Sequence, residues 1–85
     1  MLHSHEGGFR SHMKRGTRLI LRLRQIRKGI DMTQAELGRR VGLKRVSINA
    51  IELGRSKPSI DVALALAREL NTSVEEVMSY VEVPK

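Results

Sequence analysis

The sequence contains no cysteine and no tryptophan, and it has only one phenylalanine and one tyrosine. Without cysteine, neither a disulfide nor a thiolate metal site can stabilise the fold, so helix packing must supply the stability. Binding of single-stranded nucleic acid usually needs exposed aromatic side chains, and Phe9 and Tyr80 both lie outside the basic middle of the chain. The long apolar run of a signal peptide or a transmembrane helix is also missing. These absences predict a soluble cytoplasmic protein that does not enter a membrane.

The sequence contains few of the residues and motifs that enzymes use for catalysis. All three histidines, His3, His5 and His12, lie in the first 16 residues, at spacings that match no pair of metal ligands on a helix. No cysteine nucleophile and no glycine-rich phosphate loop are present. We therefore predict that the protein is not an enzyme, binds no metal and needs no cofactor. Nothing in the sequence indicates a small-molecule ligand.

The length of 85 residues is sufficient for one domain with a modest hydrophobic core. Residues 1–16 contain three glycines and the three histidines, without any regular apolar spacing, and predict a flexible basic tail. Residues 17–80 are predicted to form the domain. Residues 81–85 are predicted to be a short C-terminal tail.

Positive charge is concentrated in the first two thirds of the chain. The net charge is +7, but residues 1–58 carry +10 whereas residues 59–85 carry −3. A basic surface of this size favours a polyanionic partner. The alternative, a solvated charged surface without a partner, stays open on charge alone.

Five helices and no strand are predicted from apolar spacing and from signals for helix ends. The first helix is expected over residues 17–29, because its apolar side chains recur at helical spacing. These side chains are Leu19, Ile20, Leu23 and Ile26. The second helix is expected to begin at Thr33-Gln-Ala-Glu36, a capping box in which the hydroxyl and the carboxylate bind free amides of the first turn. Met32 and Leu37 form the hydrophobic staple around this cap.

The remaining helices follow from similar signals. Gly42 is expected to end the second helix, and Gly54 to end a third helix over residues 44–53. Pro58 and Ser59 open a fourth, largely apolar helix that continues to residue 70. A second capping box over residues 73–76 starts a fifth helix, in which we expect Val74, Val77 and Met78 to be apolar contacts.

The second and third helices are short and are joined by a tight turn that contains glycine. This is the geometry by which a helix-turn-helix unit places its second helix in the major groove of DNA. Gly38 lies where the two helices must approach closely, so a larger side chain would separate them. Apolar residues are spaced to close the small core between the two helices: Leu37, Val41, Leu43, Ile48 and Ile51.

Three stretches of this region resemble the Cro/phage-repressor family of helix-turn-helix regulators, also called xenobiotic-response-element-like. They are Thr33-Gln-Ala-Glu-Leu-Gly, then Val-Gly-Leu43, then Ile48-Asn-Ala-Ile-Glu-Leu-Gly-Arg55 with Pro58-Ser59. The resemblance extends over about residues 18–80. It implies a compact all-α, five-helix, lambda-repressor-like domain that binds double-stranded DNA sequence-specifically, as a transcriptional repressor. As an alternative, the same fold serves antitoxins and bridging factors whose main role is to bind a protein partner.

The resemblance also assigns roles to individual residues. It implies that the first part of the third helix reads DNA bases, with Lys44, Arg45, Val46, Ser47 and Asn49. It implies phosphate contacts from Gln34 and from the loop residues Arg55, Ser56 and Lys57, and a structural ion pair between Arg27 and Glu52. Arginine can donate two hydrogen bonds to guanine, asparagine can pair with adenine, and valine can pack on a thymine methyl group. Basic tail residues offer further contacts with DNA: Arg10, Lys14 and Arg15.

Two positions depart from the family pattern. Lys44 stands where a serine or threonine usually caps the third helix, and Val46 stands where glutamine is frequent. Losing a side-chain cap typically costs about 1 kcal/mol, which a phosphate or guanine contact of Lys44 would offset. Val46 shifts hydrogen-bonded reading of bases to Arg45 and Asn49.

The last residues suggest how two copies could associate. Residues 77–83, Val-Met-Ser-Tyr-Val-Glu-Val, are apolar at alternate positions. We therefore expect this segment to pair two chains in a homodimer. In a dimer the two reading helices would lie about 34 Å apart, which predicts an inverted-repeat DNA site.

Overall fold

The computed structural model describes residues 17–82, which form five helices and two short strands. In chain order the elements are β1 (Thr17–Leu21), α1 (Leu23–Gly29), α2 (Gln34–Val41), α3 (Arg45–Glu52), α4 (Ile60–Glu69), α5 (Val74–Val77) and β2 (Met78–Glu82). The five predicted helices are therefore all present. The strands form one antiparallel pair beside the helices.

Each helix contributes one fully buried side chain to a single core. These side chains are Leu23, Leu37, Ile48, Leu66 and Val77, in the order of the five helices. Because every helix buries an apolar residue in the same core, displacing any one helix would expose apolar side chains to water. The core thereby fixes the position of α3, whose inner face carries Ile48 and Ile51.

The predicted helix starts are confirmed by their caps. The hydroxyl oxygen of Thr33 accepts a hydrogen bond from the Glu36 amide at 3.0 Å, and that of Ser73 accepts one from the Glu76 amide at 3.1 Å. These bonds satisfy amide groups that the first turn of a helix leaves free. The carboxylate half of the first capping box was predicted wrongly: within residues 17–82, Glu36 forms ion pairs with Arg39 and Arg40, whose charges attract it more strongly than a backbone amide does.

The predicted first helix is wrong over its N-terminal part. Residues 17–21 form β1, and helix α1 begins only at Leu23. Three consecutive apolar residues, Leu19, Ile20 and Leu21, are compatible with a short strand as well as with a helix. The antiparallel partner, β2, decides between them, and its pairing runs from Thr17 opposite Glu82 to Leu21 opposite Met78.

The prediction for the end of the chain also needs correction. Helix α5 ends at Val77, and Met78 is the first residue of β2 rather than part of the helix. The alternating segment that we expected to join two chains pairs with β1 of its own chain instead. A hydrogen bond from the Arg22 amide to the Val77 carbonyl, at 2.8 Å, closes this junction. Strand β2 continues to Glu82, two residues beyond the predicted domain end at residue 80.

Between residues 17 and 82, every helix is too short or too polar to cross a bilayer.

Candidate nucleic-acid interface

Helices α2 and α3 form the predicted helix-turn-helix. Gly42 ends α2 with a left-handed φ of 77°, a conformation that glycine adopts without strain. The chain then returns to α2, because the Leu43 amide donates to the Gly38 carbonyl at 2.8 Å. A Cβ atom at position 38 would lie 2.5 Å from the Leu43 carbonyl oxygen. This contact confirms that Gly38 permits a close approach of the two helices.

Helix α3 presents its N-terminal half to solvent and buries its other face. Lys44, Arg45 and Val46 are exposed, and Val46 is exposed over 59% of its surface although it is apolar. Lys44 occupies the N-cap position and its side chain makes no capping hydrogen bond, as its sequence predicts. Ser47 and Asn49 are half-buried. The predicted base-reading residues thus share one short stretch of one helix, with the exposed ones at its tip.

A buried ion pair connects α1 to the end of α3. Arg27 Nε donates to Glu52 Oε2 at 2.6 Å, and Arg27 Nη2 donates to Glu52 Oε1 at 3.1 Å. The third nitrogen, Nη1, donates to the Met32 carbonyl at 2.7 Å. The two side chains are only 8% and 2% exposed, so the pair is protected from water and its geometry is two-pronged. The structural ion pair that the resemblance implies is present in the fold.

The surroundings of Glu52 favour its charged form. Burial alone raises the pKa of this carboxyl, but hydrogen bonds from Arg27 and Gln34 and the positive charges of Arg27 and Arg24 lower it by more. The net result is a pKa below the ordinary value of 4.5. Glu52 is therefore a carboxylate at neutral pH, and it only accepts hydrogen bonds.

Gln34 joins this ion pair to two of the predicted reading residues. Its Nε2 donates to Glu52 Oε1 at 2.9 Å and to Asn49 Oδ1 at 3.0 Å. Its Oε1 faces Arg45 Nη1 at 3.5 Å, a long contact between exposed groups. The first residue of α2 thus links α2 and α3 through side chains in addition to the backbone turn.

Arg24 is a candidate that sequence reasoning missed. It lines a polar groove together with Thr33, Gln34, Arg45 and Asn49. Its charge also acts on Glu52. Arg24 lies three residues before Arg27, and residues three apart share a helix face. That spacing was the available signal.

The loop after α3 carries the other predicted phosphate contacts. Arg55, Ser56 and Lys57 are all exposed. The Ala50 carbonyl accepts hydrogen bonds from the amides of Arg55 at 2.9 Å and Ser56 at 3.2 Å, so the loop is tied back to α3. It does not join the groove around Gln34. The tail residues Arg10, Lys14 and Arg15 lie outside the described residues.

Comparison with known families decides the classification. Residues 23–77, more than half of the chain, match the model of the helix-turn-helix family HTH_3. The chain belongs to the Cro/phage-repressor helix-turn-helix family. This match begins at the first residue of α1 and ends at the last residue of α5, so it covers all five helices and excludes both strands.

Relatives with similar sequences come from archaea and bacteria. An uncharacterised HTH-type transcriptional regulator of Archaeoglobus fulgidus is 36% identical over 61 residues, which cover 72% of this chain and 86% of the relative. The uncharacterised HTH-type transcriptional regulator YobD of Bacillus subtilis is 32% identical over 63 residues, which cover 74% of this chain and 56% of the relative. Both names describe regulators of transcription, in agreement with the prediction that this family member is not an enzyme.

A solved structure supports the fold independently. The P22 c2 repressor, crystallised in complex with the synthetic operator 9T in the presence of Tl⁺, superimposes with a TM-score of 0.64 at 34% identity. The alignment covers 66% of this chain and 85% of the repressor chain. The predicted fold class, an all-α, five-helix lambda-repressor-like domain, is confirmed in its five helices, and the small two-stranded sheet is an addition that was not predicted.

Proposed function

We propose that this protein is a transcriptional repressor that binds double-stranded DNA sequence-specifically and inserts α3 into the major groove. The observation that carries the proposal is the fixed position of α3. Ile48 and Ile51 hold its inner face in the core, and Arg27 and Glu52 hold its end, while Lys44, Arg45 and Val46 are exposed. A rigid helix with an exposed, basic N-terminal half is the element that helix-turn-helix proteins place against base edges. Such a regulator acts in the cytoplasm, at the nucleoid.

Base reading is assigned to the exposed start of α3. Arg45 is the main candidate, because a guanidinium group can donate two bonds to guanine O6 and N7. Val46 is suited to a thymine methyl group, since it exposes apolar surface and is flanked in the sequence by Arg45 and Ser47. Lys44, Ser47 and Asn49 complete the reading surface.

Phosphate binding is assigned to the groups on both sides of α3. Gln34 lies at the start of α2, and Arg24 lines the same polar groove, which makes it an additional phosphate candidate. Arg55, Ser56 and Lys57 supply contacts on the other side. Such contacts set affinity and register and do not read sequence. The tail residues Arg10, Lys14 and Arg15 would add electrostatic attraction.

We propose further that the protein acts as a homodimer on an inverted-repeat site. Support comes from α4, where Ile60 and Leu64 are 79% and 57% exposed and lie one helical turn apart. Exposed apolar side chains on one helix face are typical of an association surface. Two copies joined there could present two reading helices to successive turns of the major groove.

A second candidate function is the binding of a protein partner, as in an antitoxin or a bridging factor. One observation favours it, an apolar pocket of about 220 Å³ between the sheet and the loop after α3. Leu19, Leu21, Met78, Pro58 and Tyr80 contribute to its lining. A partner that inserted an apolar side chain there would approach the loop that carries Lys57 and would compete with DNA.

Selection of random duplex DNA on the purified protein, at near-physiological salt, tests the proposal. Arg45→Ala, run in parallel, is expected to lose about 1–3 kcal/mol of discrimination at one base position. An inverted-repeat motif that weakens at that position would support a sequence-specific dimeric regulator. Recovery of random sequences would reject specific DNA reading and favour the protein-partner function.

A further inference from the structure

We propose that the Arg27–Glu52 ion pair determines, through Gln34, which atom of the Asn49 amide faces DNA. In this arrangement Gln34 and Glu52 are specificity-determining residues, and Glu52 acts without touching a base. The inference rests on the proposed function, since it concerns how α3 reads DNA. It goes further by naming the chemistry that Asn49 presents.

Two neighbouring groups fix the orientation of the Gln34 amide, because one of them can only accept hydrogen bonds and the other can only donate them. Glu52 is a carboxylate that can only accept, so the Gln34 atom at 2.9 Å from it must be the donor Nε2. Arg45 can only donate, so the atom that faces its guanidinium must be the acceptor Oε1. Reversing the Gln34 amide would place two acceptors together at one end and two donors at the other.

The same reasoning fixes Asn49. The Gln34 Nε2 group donates at 3.0 Å to the Asn49 side chain, so the atom that meets it must be Oδ1. The other amide atom, Nδ2, is left without a hydrogen bond among the described residues, and no buried side-chain polar atom there lacks a partner. Nδ2 is consequently accessible, at the polar groove that Gln34, Arg45 and Asn49 line together.

Asn49 is therefore presented to DNA as a donor. A free asparagine can turn its amide and pair with either a donor or an acceptor, whereas one held by Oδ1 offers its NH₂ group first. Acceptors in the major groove are guanine N7 and O6, adenine N7 and thymine O4, and the amino group of cytosine is excluded. The base that Asn49 meets is thus expected to offer an acceptor.

Substitution at position 34 tests this assignment. Gln34→Glu is combined with Glu52→Gln, because a carboxylate at position 34 would otherwise lie against the Glu52 carboxylate and be repelled by it. The new carboxylate at position 34 can only accept, so Asn49 should turn and donate Nδ2 to it, which exposes Oδ1 to the base. Affinities are measured for a panel of duplexes that carry each of the four base pairs at each position of the selected site. At one position, the preferred base should shift by roughly fivefold or more towards adenine or cytosine, the two bases that present an amino group in the major groove.

Two control variants separate orientation from loss of a phosphate contact. Gln34→Met removes the phosphate contact as well, but it imposes no new orientation, so it should broaden the preference at that position without reversing it. The Gln34→Glu/Glu52→Gln variant with Asn49→Ala added should show no reversal, because the responding amide is absent. An unchanged preference profile in the Gln34→Glu/Glu52→Gln variant, or the same shift without Asn49, would overturn the orientation proposal.

A wild-type protein without any base preference would instead overturn the proposed function, and this proposal with it. Side-chain hydrogen exchange in the free wild-type protein, followed by nuclear magnetic resonance, tests the orientation without DNA and without substitutions. The Gln34 NH₂ protons, which make two hydrogen bonds, should exchange more slowly than the Asn49 NH₂ protons. Slower exchange at Asn49 than at Gln34 would overturn the proposal even if the protein reads DNA.

Discussion

Gly38 lies on α2 directly against the turn that leads into α3. A Cβ at this position would meet the Leu43 carbonyl oxygen at 2.5 Å, and this oxygen belongs to backbone that cannot rotate away. Gly38→Ala should therefore lower the free energy of unfolding by about 1–3 kcal/mol, the usual cost of overpacking. In a domain of this size, each kcal/mol lowers Tm by about 4–8 °C, which a thermal melt detects.

Gly29 provides the matched control for this substitution. It is the last residue of α1, it is exposed, and a Cβ there would have no neighbour within 4 Å. Gly29→Ala should leave Tm unchanged or raise it slightly, because alanine is the better helix former. Equal destabilisation by both substitutions would contradict a role for close helix approach at Gly38.

Because of Glu52, the free energy of unfolding should depend on pH in the acidic range. Its pKa is lowered in the folded protein, so the charged form contributes stability above its unfolded value near 4.5, and this contribution disappears as pH falls through the folded pKa. Removing the charge with Glu52→Gln leaves Arg27 buried without a full partner, at a cost of roughly 3 kcal/mol at pH 7. Denaturant unfolding between pH 7 and pH 3 should show that the difference in unfolding free energy between wild type and Glu52→Gln decreases below about pH 4.5.

A carboxylate outside the network supplies the comparison. Glu75 is exposed at the start of α5, and Glu75→Gln should change the unfolding free energy at pH 7 by less than about 0.5 kcal/mol. If the difference between Glu52→Gln and wild type stayed constant down to pH 3, the ion pair would not be the source of the acid sensitivity.

The resemblance in sequence predicted single exposed positions and the Arg27–Glu52 ion pair, but not the contacts of Gln34. The resemblance to the family assigned Lys44, Arg45 and Val46 to the start of α3, and these residues are exposed there. The contacts of Gln34 with Asn49 and Glu52 depend on how α2 and α3 cross. No local sequence pattern indicates how the two helices cross, so these contacts could be identified only from the folded structure.

At the scale of the elements, helix ends were predictable and the strands were not. Thr33 and Ser73 act on amides three residues away, within their own turn, so a short stretch of sequence contains the whole interaction. Strand β1 depends on a partner about sixty residues later in the chain, with Ile20 opposite Ser79. The local apolar pattern does not distinguish such a strand from the first turns of a helix. Pairing with β2 determines that these residues form a strand.

A cysteine pair can test this pairing without background, because the chain has no cysteine of its own. Ile20 and Ser79 are directly opposite in the antiparallel register, where Cβ atoms lie about 4.5–5.5 Å apart. In Ile20→Cys/Ser79→Cys, mild oxidation should form a disulfide within one chain. The product is identified by non-reducing electrophoresis and by mass spectrometry of its linked peptides.

Moving one cysteine by a single residue gives the matching control. Tyr80 follows Ser79 on β2 and, since side chains alternate along a strand, points to the opposite face of the sheet. Ile20→Cys/Tyr80→Cys should therefore oxidise much more slowly. Crosslinking between two chains, instead of within one, would show that β2 pairs with a second copy, as its alternating sequence first suggested.

For the whole molecule, the separation of charge along the chain predicts where the salt dependence of DNA binding arises. Residues 33–58 carry +4 and include the reading helix and its flanking contacts, whereas residues 59–85 carry −3. A Lys or Arg that neutralises a phosphate releases a counterion, and one that lies elsewhere releases none. Lys57→Ala should then weaken binding to all sequences alike and lower the slope of log affinity against log salt by about 0.9.

Arg68→Ala makes the same change of charge on the acidic part of the chain. Arg68 is exposed in the last turn of α4, so its removal disturbs no packing, and the salt slope should stay at the wild-type value. Titrations of one duplex at several salt concentrations measure both slopes. If both variants lowered the salt slope equally, net charge alone would attract DNA. A defined binding face predicts a lower slope for Lys57→Ala only, because only Lys57 lies at the interface.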